Sequence, residues 1–170
     1  MLTALAREHG AHVRPLGLRE LAEGFVYRAL GLLFPHFSTR AYAGRRGLAD
    51  ELSALGGILE RAVGDVDPVA EEGGAARVVV EHLDSRLGAL REALLLDAVA
   101  IYEGDPAAQS VDEVILAYPG FLATASYRIA HEPHGRLPLF PRLLTEVAHR
   151  ATGIDIHPRS SRRSLTAAWC

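Results

Sequence analysis

Apolar residues recur every three or four positions along most of the chain, the spacing of one face of an α-helix. Leu18, Leu21, Ala22, Phe25, Ala29, Leu32 and Leu33 form one such stripe, and Pro35 ends it. Gly47 to Val63 repeats the pattern with Leu48, Leu52, Leu55, Leu59 and Val63. The stretch Gly64 to Gly74, which holds Pro68, reads as a loop. The longest periodic segment runs from Ala75 to Tyr102. In it Val80, Leu83, Leu87, Leu90 and Leu94 make a seam for packing on another helix. Asp97 falls on that seam, so its carboxylate lies either at the bundle edge or in a pair.

Punctuation residues place the remaining elements. Gly104 closes the long helix. Asp105-Pro106 reads as a restart signal, with Asp as N-cap and Pro at the first helical position. Ser110 and Glu113 make a capping box that opens a short helix ending near Tyr118. Pro119 starts another, to about His131, and Pro133 to Pro138 is a turn. Pro141 to Ala151 forms a last helix with Leu143, Leu144, Val147 and Ala151 facing in, broken by Gly153. Period-two alternation occurs only at Gly153 to His157, where Ile154 and Ile156 alternate with Asp155 and His157 and a strand is expected. The fold class is therefore all-α, an array of short antiparallel helices over 1–151.

Composition narrows the function. Of 170 residues, 49% are hydrophobic and 23% charged, which is globular. The net charge of −3 argues against a general nucleic-acid or anionic-membrane binder. No apolar run approaches the ~20 residues of a membrane span, and no signal peptide is evident. The one Cys, Cys170, permits no internal disulfide, so a reducing, cytoplasmic setting is expected. All 18 basic residues are Arg, which excludes a phosphate-loop Lys and a Schiff-base Lys and suggests a GC-rich bacterial genome.

The chemistry-bearing candidates are few. His131, His134, His149 and His157 lack the spacing of a zinc protease and read as solvated or capping side chains, so no metal is expected. Asp105 is either a helix cap or a carboxylate that holds a ligand ammonium. Asp155 is either an ordinary turn residue or the orienter of a base histidine.

From Leu90 to Pro158 several short motifs stand in one order: DPA at Asp105, YPG at Tyr118, YRIAH at Tyr127 and TGIDIHP at Thr152. With LLFPHF at Leu32, they make the chain resemble serine O-acetyltransferase over nearly all of residues 18–158. The resemblance implies a helical domain over 1–151 that drives trimers into hexamers. It also implies that 152–158 is the stub of the first coil of a left-handed parallel β-helix. In that family a histidine is general base on the serine hydroxyl, which attacks the thioester of acetyl-CoA. By the resemblance, Asp105 is the substrate-binding aspartate that holds serine, and Asp155 is the catalytic aspartate that orients the base.

The sequence departs from the family after Pro158. Instead of aliphatic-Gly hexads it reads RSSRRSLTAAWC, a tail with three Arg and no acid over 159–170, expected to be disordered. No DHGTG-like motif supplies the base, so Asp155 faces a histidine that is absent here. The acetyl-CoA cleft and the tail that docks O-acetylserine sulfhydrylase are missing as well. The expected product is a truncated chain, from a frameshift or premature end, that is inactive alone and binds no cofactor. Cysteine feedback would act at the missing site. Pro133, in place of an apolar helical residue, is a smaller departure. Leu143, Leu144 and Val147 are expected to lack cover and to favour self-association. The alternative is a non-catalytic helical interaction module.

Overall fold

A computed structural model of the chain describes residues 1–11, 17–39, 41–42, 44–66, 74–133, 137 and 139–160. Among them are seven α-helices and one 3-10 turn, with no strand. The helices are α1 (Leu2–Ala11), α2 (Leu18–Leu33), α3 (Gly44–Val66), α4 (Ala75–Gly104), α5 (Val111–Ala117), α6 (Pro119–His131) and α7 (Phe140–Thr152), and the 3-10 turn is Pro35–Phe37. Helix α1 was not anticipated, because it has no stripe to bury: Met1, Leu2 and Leu5 are all exposed.

Helix α2 is central. It packs on α3 along one side and on α7 along another, while α4 joins α3 to α6. Of the apolar stripe read from spacing, Leu18, Ala22, Phe25, Ala29 and Leu33 are buried and Leu21 and Leu32 half-buried, and Val26 and Leu30 widen the buried face. Phe25 meets Phe140 of α7 edge-on at 5.6 Å between ring centroids, and Phe34 meets Phe121 of α6 in the same way at 5.6 Å. Such pairs add about 0.5–1.5 kcal/mol beyond area burial. The α4 seam behaves as expected, with Leu83, Leu90 and Leu94 buried and Val80 and Leu87 packed half-buried against the core.

Several expectations need correction. Helix α3 runs on through Gly64 to Val66, so the expected loop begins later, and residues 67–73 lie outside the described set. No helix restarts at Asp105-Pro106. The chain turns there, and Ser110 caps α5 instead, its hydroxyl accepting from the Glu113 N–H at 3.0 Å. Glu113 reaches back to the Gln109 N–H at 2.7 Å, closing the box one residue upstream. Residues 154–157 form no strand, since a strand needs a paired neighbour and none is present among the described residues. Leu144 and Val147 are buried by α2 and α6, so this face of α7 does not lack cover, although Ala151 is exposed. Most of the Pro133–Pro138 turn, and 161–170 of the expected disordered tail, lie outside the described residues.

Candidate functional site

Asp105 stands directly after the last turn of α4, with extended backbone and its N–H donating to the Ile101 carbonyl at 3.1 Å. Pro106 follows and lacks the N–H that a continuing helix would need, so the chain turns. Within that turn the Asp105 Oδ1 accepts from the Ala107 N–H at 2.9 Å. Its Oδ2 accepts from the Tyr118 hydroxyl at 2.9 Å. Tyr118 is the residue from which α6 starts, so one carboxylate ties the exit of α4 to the entry of α6. Both bonds favour the ionised form. The Ala107 N–H, then the Tyr118 hydroxyl, hold Asp105 below the ordinary aspartate range, and the same bond pushes the Tyr118 phenol up. The sequence offered a helix cap or an ammonium ligand; the structure shows a cap of a turn, half exposed and charged.

Asp155 lies two residues past Gly153, which ends α7 with φ +77°, a left-handed conformation suited to glycine. The Gly153 N–H donates to the His149 carbonyl at 2.8 Å, and the Ile154 N–H donates to Thr152 Oγ1 at 3.1 Å. This reversal aims Asp155 back at the first turn of α7. There Arg142 Nη1 donates to Asp155 Oδ1 at 2.7 Å and Nη2 to Oδ2 at 3.5 Å. The Arg142 bond holds Asp155 below the usual carboxylate range, with the neighbouring His149 and His157 adding to it. Reciprocally, the Asp155 bond pushes Arg142 up. Among the described residues no hydrogen bond or ion pair joins Asp155 to Asp105.

Arg142 also meets Glu146 at 2.9 Å, one helical turn along. Ligand atoms of Glu146, His149 and Asp155 come within 4.8 Å of one another, a grouping the sequence reading missed because it joins a helix face to a residue beyond a turn. The guanidinium that bridges both carboxylates already supplies the positive charge a divalent cation would bring. His157 is exposed, and its Nδ1 accepts from the Arg159 N–H at 3.2 Å. His131 is half-buried, with its Nδ1 3.2 Å from the Pro158 carbonyl, so it is neither a fully solvated side chain nor a helix cap. His134 lies outside the described residues.

Two further charge groupings join the helices: for Asp97 the paired alternative is the one found, while Glu132 with His82 was not legible. Asp97, on the α4 seam, takes Arg128 of α6 in a two-pronged pair, Nε to Oδ2 at 2.5 Å and Nη2 to Oδ1 at 2.7 Å. Glu132, 3% exposed, accepts from His82 Nε2 at 2.9 Å with Arg86 Nε 3.7 Å away. Two clefts open elsewhere. One, of about 370 Å³, is lined by Tyr27, Arg28, Phe37, Tyr42 and Glu51. The other, of about 530 Å³, lies between α2, α3 and α4 and is lined by Leu32, Leu48, Leu52, Val80, Leu87 and Arg91. Neither includes Asp105 or Asp155.

No family model matches the chain. Curated relatives do. The chain is 51% identical over 63 residues to the plasmid serine acetyltransferase of Synechococcus elongatus, covering 36% of this chain and 20% of that one. It is 46% identical over 59 residues to the serine acetyltransferase of Helicobacter pylori, covering 34% of each. Among solved structures, Entamoeba histolytica serine acetyltransferase isoform 3 in complex with cysteine aligns with a TM-score of 0.70 at 29% identity, over 79% of this chain and 47% of that one. Serine acetyltransferase 1 of the same organism, with L-cysteine, gives 0.69 at 30%, over 78% and 48%. The chain thus spans a fifth to a third of these curated relatives and about half of these structures. No described helix is long and apolar enough to cross a membrane. Sequence and helical architecture agree on one family, and over the part compared this chain resembles the serine acetyltransferases.

Proposed function

We propose that this chain is the helical portion of a serine O-acetyltransferase, contributing to acetyl transfer from acetyl-CoA to the hydroxyl of L-serine. In that reaction the serine oxygen attacks the thioester carbonyl, a histidine base takes its proton, and the CoA thiol leaves. The product, O-acetylserine, feeds cysteine biosynthesis, and a cytoplasmic setting suits a chain with a single Cys. Asp105 holds the serine ammonium, and Asp155 orients the base. The observation that carries the reading is the state of Asp105: a half-exposed carboxylate at the end of α4, kept ionised and fixed by Ala107 and Tyr118. A charge so held is ready for an ammonium, because a charge-assisted hydrogen bond is roughly twice as strong as a neutral one.

Among the described residues Asp155 is hydrogen-bonded to Arg142 and to no histidine, and neither cleft includes Asp105 or Asp155. The purified 170-residue polypeptide is therefore expected to show no serine-dependent thioester cleavage. Joining residues 1–157 to a family hexapeptide-repeat region is expected to restore it. In that fusion Asp105→Asn lowers kcat/KM for serine by at least about tenfold. Unchanged kinetics in the Asn variant would remove the ligand role from Asp105.

A second reading, a non-catalytic interaction module that binds copies of itself, has its own observation. Leu96 of α4 is 71% exposed and Leu116 of α5 is 61% exposed. Light scattering at tens of micromolar tests it, since a monodisperse monomer removes the module, while recovery of activity in the fusion supports the first reading.

A further inference from the structure

We infer that Tyr127 and His131 are positioning residues for Asp155, fixing the segment that carries it from a different helix. What Asp155 then does rests on the acetyl-transfer reading above.

The segment 154–160 has no helix or strand to hold it, yet Pro158 within it is buried. Backbone polar groups in such places need partners, and α6 provides them. Tyr127 and His131 are four residues apart on one face of α6, so their side chains stand one above the other. The Tyr127 hydroxyl donates to the Ser160 carbonyl at 2.5 Å. His131 Nδ1 lies 3.2 Å from the Pro158 carbonyl. A carbonyl only accepts, so Nδ1 carries the hydrogen in this contact. The two rings pack on each other at 5.6 Å between centroids, and Tyr127 is fully buried, which leaves little freedom to swing.

Upstream, the same segment is pinned where Gly153 bonds back to His149 and Ile154 to Thr152. Asp155 therefore sits in a short span anchored at both ends, by α7 behind it and α6 ahead of it. Three residues, Asp155 to Pro158, reach at most about 10 Å, so the α6 anchor confines the carboxylate to the neighbourhood of Arg142. The Arg142–Asp155 pair is too exposed to do this alone, since water and salt compete with an ion pair at the surface. The clamp, more than the ion pair, sets where Asp155 points.

The test uses the whole 170-residue chain and follows the Asp155 carboxyl carbon by NMR as pH is varied. The charged and titratable groups facing Asp155 are Arg142, Glu146, His149 and His157. Tyr127→Phe removes only the hydroxyl, and His131→Phe keeps a ring while removing the donor. Together they are expected to shift the Asp155 midpoint upward, towards its value in Arg142→Gln, and to add nothing further in the Arg142→Gln background. His131→Gln, whose amide can still donate, is expected to keep the wild-type midpoint when made alone. If the double variant melts lower but titrates as wild type, the two residues are merely structural and the inference fails; Tyr127→Phe alone serves if the double variant does not fold. A wild-type midpoint in Arg142→Gln also overturns it. The titration needs no turnover, so a failure of the acetyl-transfer reading registers separately, in the kinetics of the fusion.

Discussion

Asp97–Arg128 and Asp155–Arg142 are the same chemical pair in two settings. The first spans α4 and α6 with side chains only 9% and 14% exposed; the second spans α7 and the segment after it, at 48% and 34%. In the interior, the cost of stripping water from two ions is recovered only while both are present. At the surface, water stands ready to replace either partner. The interior pair therefore commits the fold to one arrangement of α4 and α6, while the outer pair can exchange its guanidinium for another cation. The role proposed for Asp155, orienting an imidazolium, suits the second setting, where a carboxylate is held yet free to change partner.

The largest expected effect breaks the interior pair. Arg128→Ala should cost about 3–5 kcal/mol, because Asp97 is left buried and uncompensated. Urea denaturation measures it, and a loss below about 1 kcal/mol would erase the distinction between the settings. Replacing both partners, as Asp97→Leu with Arg128→Met, should recover much of the loss.

A cap sets the intermediate scale. Ser110→Ala removes the acceptor of the Glu113 N–H and should cost about 1 kcal/mol, read from the same transition.

The outer pair should give less. Arg142→Gln is expected to lower stability by no more than about 1 kcal/mol, with the difference shrinking as salt is added. The smallest effect is its pH dependence. Asp155 has a folded pKa below its unfolded one, so the stability it contributes is present at neutral pH and is lost as pH falls through the folded value. Wild type and Arg142→Gln should therefore converge in acid. Thermal melts that diverge there would assign the low pKa to something other than Arg142.

Helices α2, α3, α4 and α7 were legible in the sequence because each buries a stripe at 3.6-residue spacing against a neighbour, whereas α1 buries none. Helix α6 and its Pro119 start are found as read. What failed was local signal judged without its competitor. Asp105-Pro106 fits both a helix start and a turn, and Ser110, which caps while Glu113 reaches back to Gln109, is the stronger start. Ile154 and Ile156 alternate as a strand would, but alternation describes two faces and does not supply a partner. Asp105 and Asp155 could be named from motifs, whereas their partners Tyr118 and Arg142, 13 residues away in each case, could not. Still less legible was His82 with Glu132, 50 residues apart, since no periodicity links positions so distant.

The α6 contacts to Pro158 and Ser160 have a mechanical consequence. A pull applied at Ser160 does not first unwind the last turn of α7, although α7 is nearer along the chain. It loads the Tyr127 and His131 bonds to the backbone, and through them α6. From α6 the load passes by Arg128 and Asp97 into α4, the longest of the described helices. Tension on the end of this segment is thus shared across the bundle, and Asp155 lies on the slack side of the anchor.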